Sequence, residues 1–203
     1  MRCSLCIALA TAFLALVSPA DSAAQGWLDV AGGVTLPQGE YKDLANTGWL
    51  AHAAAAYPLG DSDGAGPYLG ASAYYGRNKH EAIDGDKTNH FGVLGRLGYA
   101  LGDPEASIAP FAFVHVGFMR DAYESNTSVD ESAAGLAAGG GAGVSFPLYN
   151  RSGGVPPWRG VIELSYLSRF GDNDIPALSD TQIVSVELGV RIPVLRRIDS
   201  AEP

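Results

Sequence analysis

Two segments near the C-terminal end set the pattern of the chain. Over 160–170, Ile162, Leu164, Tyr166 and Phe170 share one side of an extended backbone, and Glu163, Ser165 and Arg169 share the other. Over 181–193, Val184, Val186, Leu188, Val190 and Ile192 alternate with Ser185, Glu187, Gly189 and Arg191. A period of two is the strand period, because successive side chains point to opposite faces of a sheet. Segments 27–35, 48–57, 67–76, 90–101, 109–119 and 133–146 join 159–170 and 181–193 to give eight predicted strands. Most are near the ~9–11 residues that a tilted strand needs to cross a bilayer.

The connections alternate in character. Those at 36–47, 77–89, 120–132 and 171–180 are long and charged, whereas 58–66 and 102–108 carry the turn signals Gly60-Asp61 and Asp103-Pro104. The connection at 147–158 is longer than a tight turn requires. An even strand count with long and short connections on opposite sides predicts an antiparallel up-and-down arrangement, both chain ends on one side.

Charge decides which face is inside. The strand interiors set Asp29, Glu163 and Glu187 against Arg96, Arg169 and Arg191, with His52 and His115 beside them, and they hold no lysine. A water-facing sheet would be rich in Lys and Glu. The rest of that polar side is small: Gly70, Ser72, Gly92, Gly98, Gly139, Gly141, Gly143, Ser165 and Gly189. Small residues and balanced charges fit the narrow interior of an eight-stranded barrel, where buried charges must pair. The fold class expected is therefore all-β, an eight-stranded antiparallel up-and-down transmembrane β-barrel. A soluble lipocalin-like barrel, with its apolar side inward, is the alternative. Trp27, Trp49, Tyr57, Tyr68, Tyr99, Tyr149, Trp158 and Phe170, near strand ends, suit two interfacial aromatic girdles.

The front of the chain fits export. Arg2, an apolar run over 6–17, and Ser18-Pro19-Ala20 with Ser22-Ala23-Ala24 make a signal peptide over 1–24, leaving a barrel domain over 25–203. Both cysteines, Cys3 and Cys6, leave with it, so the mature chain forms no disulfide. The net charge of −9, without a basic run, argues against a nucleic-acid partner.

The signal segment, Gly32-Gly33-Val34-Thr35-Leu36-Pro37-Gln38-Gly39, Gly48-Trp49 and the alternation through Val190-Arg191-Ile192-Pro193 together resemble the small outer-membrane β-barrel family of the OmpA/OmpX type, the outer membrane protein beta-barrel domain. The resemblance implies a bacterial outer-membrane location and roles from envelope integrity and adhesion to narrow pores. Such barrels commonly close on an aromatic residue, whereas this chain continues through Leu195-Arg196-Arg197 to Pro203.

Two residue groups emerge as candidate sites. Asp29, Arg96, Glu163, Arg169, Glu187 and Arg191 are expected to form a lumenal ion-pair network, with Glu163–Arg191 and Glu187–Arg169 as the cross-strand pairs. Asp121, Glu124, Asp130, Glu131, Asp172 and Asp174 are expected to form an acidic loop rim. The plain reading of that rim is a solvated surface; its functional alternative is weak binding of divalent cations through oxygen ligands. Ser72, Ser165, His52, His115, Asp29 and Glu163 supply the types for nucleophilic catalysis. No Gly-x-Ser-x-Gly turn accompanies them, so no enzyme and no cofactor is expected. Asp61-Ser62-Asp63-Gly64 and Asp84-Gly85-Asp86 lack the further ligands of a calcium loop and read as turns. The expected partners are membrane lipid and lipopolysaccharide, with divalent cations or a surface partner at the loops. The expected function is a monomeric structural or surface-interaction barrel, with a narrow passive pore as the alternative.

Overall fold

The computed structural model describes residues 26–59, 65–80, 85–101, 106–125, 131–148, 158–170 and 181–193. The expected signal peptide, Tyr149, Asp130, Asp172 and Asp174 lie outside the described residues. Eight strands follow in order: β1 Trp27–Gln38, β2 Gly48–Pro58, β3 Gly66–Lys79, β4 Lys87–Ala100, β5 Ala109–Glu124, β6 Glu131–Pro147, β7 Arg159–Phe170 and β8 Gln182–Pro193. Each pairs antiparallel with the next, and β1 pairs with β8 from Trp27↔Pro193 to Gln38↔Gln182, closing a barrel.

Strand centres fall where the alternation puts them, but one end differs. Segments 77–79, 87–89, 120–124 and 131–132, expected in long loops, continue the ladders of β3 to β6. Their polar residues pair across the hairpins, as in Arg77↔Asn89, Asn78↔Thr88 and Tyr123↔Glu131. A polar side chain does not end a strand while the neighbouring backbone still supplies hydrogen bonds. Within the connection 36–47, a 3-10 turn over Gly39–Asp43 tucks Tyr41 into the barrel mouth at 2% exposure.

The outer face is apolar. Leu188, Val116, Phe118 and Val114 are each at least 60% exposed, and Ile162, Leu164, Leu97 and Leu136 continue the band. Trp49, Tyr99, Trp158 and Phe170 face outward, as girdle residues should. Trp27 and Tyr68 do not: they turn inward and pack edge to face at 5.2 Å.

The interior is filled by setting a ring against a glycine on the next strand. Phe111, Phe113 and His115 of β5 stand opposite Gly143, Gly141 and Gly139 of β6, and Tyr74 and Tyr68 of β3 opposite Gly92 and Gly98 of β4. A methyl group at any of these glycines would collide with the facing ring. The lumen also holds two apolar clusters. Tyr41, Leu94, Met119, Leu167 and Ile183 lie toward the long-connection end; Tyr68, Phe111, Phe113 and Val161 lie toward the turn end.

Candidate functional site

Buried charges and polar groups divide the lumen into three levels. At the turn end, Asp29 and Arg191 are register partners across the β1–β8 seam. Nε and Nη2 of Arg191 donate to the two carboxylate oxygens of Asp29, each at 2.8 Å. This two-pronged geometry is the strong form of the pair. The guanidinium also lies 4.7 Å from the Trp27 ring centroid and 4.9 Å from that of Phe111. Arg159 donates to Ser145 Oγ and to the carbonyls of Ser145 and Ala106.

At mid-height, Arg96 Nη2 meets Glu163 Oε2 at 2.6 Å, and the guanidinium sits 3.3 Å from the Phe113 ring centroid. His52 Nδ1 approaches Glu187 Oε2 to 3.0 Å, an ion-pair contact without hydrogen-bond alignment. Glu187 Oε1 accepts from Ser185 Oγ at 2.7 Å, and Ser165 and Ser185 share a hydrogen bond. His115 Nε2 donates to the Tyr166 carbonyl. A cavity with about 40 Å³ of room for water centres opens here, lined by His52, Tyr74, Arg96, His115, Glu163 and Glu187 among others. That is space for a few waters.

At the long-connection end, Asp121 is fully buried. Its Oδ2 accepts from Arg169 Nε and Thr181 Oγ1, and its Oδ1 faces His90 Nδ1, all at 2.7 Å. Nδ1 of His90 donates to Asp121, and Nε2 lies within hydrogen-bond distance of both the Tyr41 hydroxyl, at 3.0 Å, and Asn78 Oδ1, at 3.1 Å. Burial pushes the Tyr41 hydroxyl well above the usual tyrosine range, so it stays neutral. Asn78 Oδ1 also accepts from Thr35.

All six residues of the expected lumenal group face inward, but their partners differ from the cross-strand expectation. Glu163 takes Arg96 and not Arg191, and Arg169 takes Asp121 and not Glu187. Glu163 and Glu187 are themselves register partners, and Arg159 stands opposite Arg191. Adjacency on β7 and β8 therefore juxtaposes like charges, and the carboxylates turn across the lumen to find cations. The acidic rim contracts. Asp121 is not a rim residue but the most enclosed carboxylate of the lumen, and Glu124 is tied to Lys87 at 2.8 Å. Glu131, at the start of β6, is exposed.

Neither Ser72 nor Ser165 is hydrogen-bonded to a histidine among the described residues. A hydroxyl–imidazole–carboxylate chain does form, Tyr41–His90–Asp121, but its hydroxyl is enclosed. His52, Glu163 and Glu187 each bring one ligand-type atom within 4.8 Å of the others, the donor set for a cation. Arg96, paired to Glu163, already supplies positive charge there. The sequence reading missed His90, Tyr41, Asn78 and Thr181. His90 follows the inward parity of Gly92, Leu94 and Arg96, and continuing the parity of Met119 reaches Asp121.

Fold and interior define a class: a small, closed, eight-stranded antiparallel barrel with its apolar face outward and its charges enclosed. No protein-family model matches the chain, and no curated protein does. Among solved structures, it is similar to Neisserial surface protein A, at 15% identity and a TM-score of 0.58, over 85% of this chain and 98% of that one. Ail, the attachment invasion locus protein of Yersinia pestis, matches at 11% identity and a TM-score of 0.49, over 84% and 100%. The N-terminal β-barrel domain of Pseudomonas aeruginosa OprF matches at 12% and 0.45, over 83% and 99%. The chain thus has the fold of the small eight-stranded outer-membrane barrels.

Proposed function

We propose that the protein resides in the bacterial outer membrane as a monomeric structural or surface-interaction barrel, exported by its N-terminal segment. The observation that carries this reading is the inversion of the usual surface. Large apolar side chains such as Leu188, Val116 and Phe118 stand exposed around the wall, while Asp29, Arg96, Asp121, Glu163, Arg169 and Glu187 are buried within it. A soluble barrel would put the apolar side inward. Exposed apolar area of this extent calls for lipid. The long-connection end then faces outward and the turn end faces the periplasm.

The same reading makes the barrel a closed wall and not a pore. The central cavity is small, and the Tyr41–His90–Asp121–Arg169 level lies at one end of the lumen and the Trp27–Arg191–Asp29 level at the other. It assigns neither a catalytic residue nor a cofactor. Refolded protein should partition into phosphatidylcholine vesicles and migrate faster on gels unheated than boiled. In planar bilayers it should give no discrete conductance steps. Recovery in the aqueous phase without detergent would overturn membrane residence, and resolved channel openings would restore the pore.

A further inference from the structure

The outward-facing strand cations are segregated. Among the described residues, Arg96, Arg159, Arg169 and Arg191 are turned into the lumen by the pairs given above. The strand cations left on the outer face are Arg77 and Lys79 of β3, Lys87 of β4 and Arg120 of β5. They occupy three neighbouring strands at the same end. Lys79 stands directly opposite Lys87, and Arg120 opposite Phe91. Like charges facing each other across a ladder destabilise it, so a structural role alone does not account for this placement.

Among the described residues one carboxylate, Glu124, reaches this group: it pairs with Lys87 and accepts from Asn89, which in turn accepts from Arg77. Arg77 Nε donates to Asn89 Oδ1 at 2.7 Å and Arg120 Nη2 to Ser132 Oγ at 3.2 Å, both uncharged acceptors. Among the described residues no carboxylate pairs with Arg77, Lys79 or Arg120. Asp86, next to Lys87 in sequence, is buried and accepts from the Tyr123 hydroxyl. Along the same strands toward mid-barrel lie the exposed aromatics Tyr75, Phe91 and Phe118, with Asn89 between Lys87 and Phe91. The cations therefore border the apolar band, at the depth where head groups begin.

We infer that this β3–β5 sector binds the net-negative phosphate head group of a lipid in the surrounding leaflet. The inference rests on the membrane reading above. Charge complementarity selects the occupant, and arginine forks match phosphate oxygens. In a chain of net charge −9, attraction to an anionic head group must be local. Screening over about 8 Å at physiological ionic strength allows that.

Trp49 reports on the sector. It lies opposite Arg77, is 46% exposed, and packs edge to face on Tyr75 at 5.6 Å. Of the 3 tryptophans, Trp27 faces the lumen and Trp158 lies at the other end, so Trp27→Phe with Trp158→Phe leaves Trp49 as the probe. In vesicles mixing brominated phosphatidylglycerol or brominated phosphatidylcholine with unbrominated lipid, quenching gives their relative affinity at Trp49. A cation near the surface favours the anionic lipid by about fivefold. The expected ratio is about fivefold or more, falling to one in Arg77→Gln/Lys79→Gln/Arg120→Gln and at about 1 M salt, where screening shortens to about 3 Å. Arg77→Lys/Arg120→Lys should retain it. Equal quenching by both lipids, or a ratio that survives salt or the neutral variant, overturns the inference and leaves membrane residence standing. No quenching by either lipid overturns both.

Discussion

Arg96 and Glu163 meet at 2.6 Å from strands that are not neighbours, β4 and β7, so their ion pair spans the lumen. It acts as a strut between opposite walls, with Phe113 stacked on the guanidinium. Removing one partner strands a buried charge. Glu163→Ala should cost roughly 3–5 kcal/mol, whereas the apolar double Arg96→Met/Glu163→Leu should recover much of that loss. Urea titration of the protein in lipid vesicles measures both.

The pairing scheme is separable by double-mutant cycles. Asp29–Arg191 and Asp121–Arg169 should show coupling of about 1–3 kcal/mol, because each pair is in direct contact. Glu163–Arg191 and Glu187–Arg169 should show no more than about 0.5 kcal/mol, as for residues without a shared partner. Strong coupling in the second set would mean that the carboxylates pair along β7 and β8 after all.

Ring-against-glycine filling predicts a sharp contrast between glycines. Alanine at Gly141 would press its methyl against the Phe113 ring and the Leu164 carbonyl, whereas at Gly95 the methyl meets only Val116 O at 3.6 Å. Gly141→Ala should lower stability by about 1–3 kcal/mol, the range for overpacking. Gly95→Ala should stay within about 0.5 kcal/mol of wild type. The shift in urea midpoint and the folded fraction on unheated gels are the readouts.

The lipid-facing assignment has its own test. Val186 is 42% exposed on the outer face of β8, midway along the strand. Val186→Arg should cost about 2–4 kcal/mol if the site sits near the bilayer midplane. Folding in vesicles at wild-type stability would place that face in water.

Fold and lumen were not equally legible in the sequence. The alternation in 181–193 located β8 and both its faces, because a one-residue error would have put Glu187 and Arg191 against lipid. Membership of the lumenal group followed from the same parity. Partner choice did not, since it depends on which strands face each other across a closed cylinder, and that is set by curvature and stagger. Trp27 and Tyr68 differ from the girdle expectation for a related reason: an aromatic near a strand end suits a girdle or a plug, and parity alone decides. In the sequence Arg120 and Asp121 together look like solvent-exposed polarity, which suits a loop. The unbroken ladder to Glu124 makes them outward and inward residues of one strand.

Asp29 and Arg191 lie 162 residues apart in sequence. The β1–β8 ladder they belong to cannot form until every intervening strand is available. Until then any growing sheet carries two unpaired edges and an apolar face, the combination that invites mispairing with other chains. Hairpin-by-hairpin growth is local and fast; joining the first strand to the last is neither. The closing step is therefore the kinetic hazard of this architecture, and the cell must keep the chain from premature collapse until its eighth strand has been delivered.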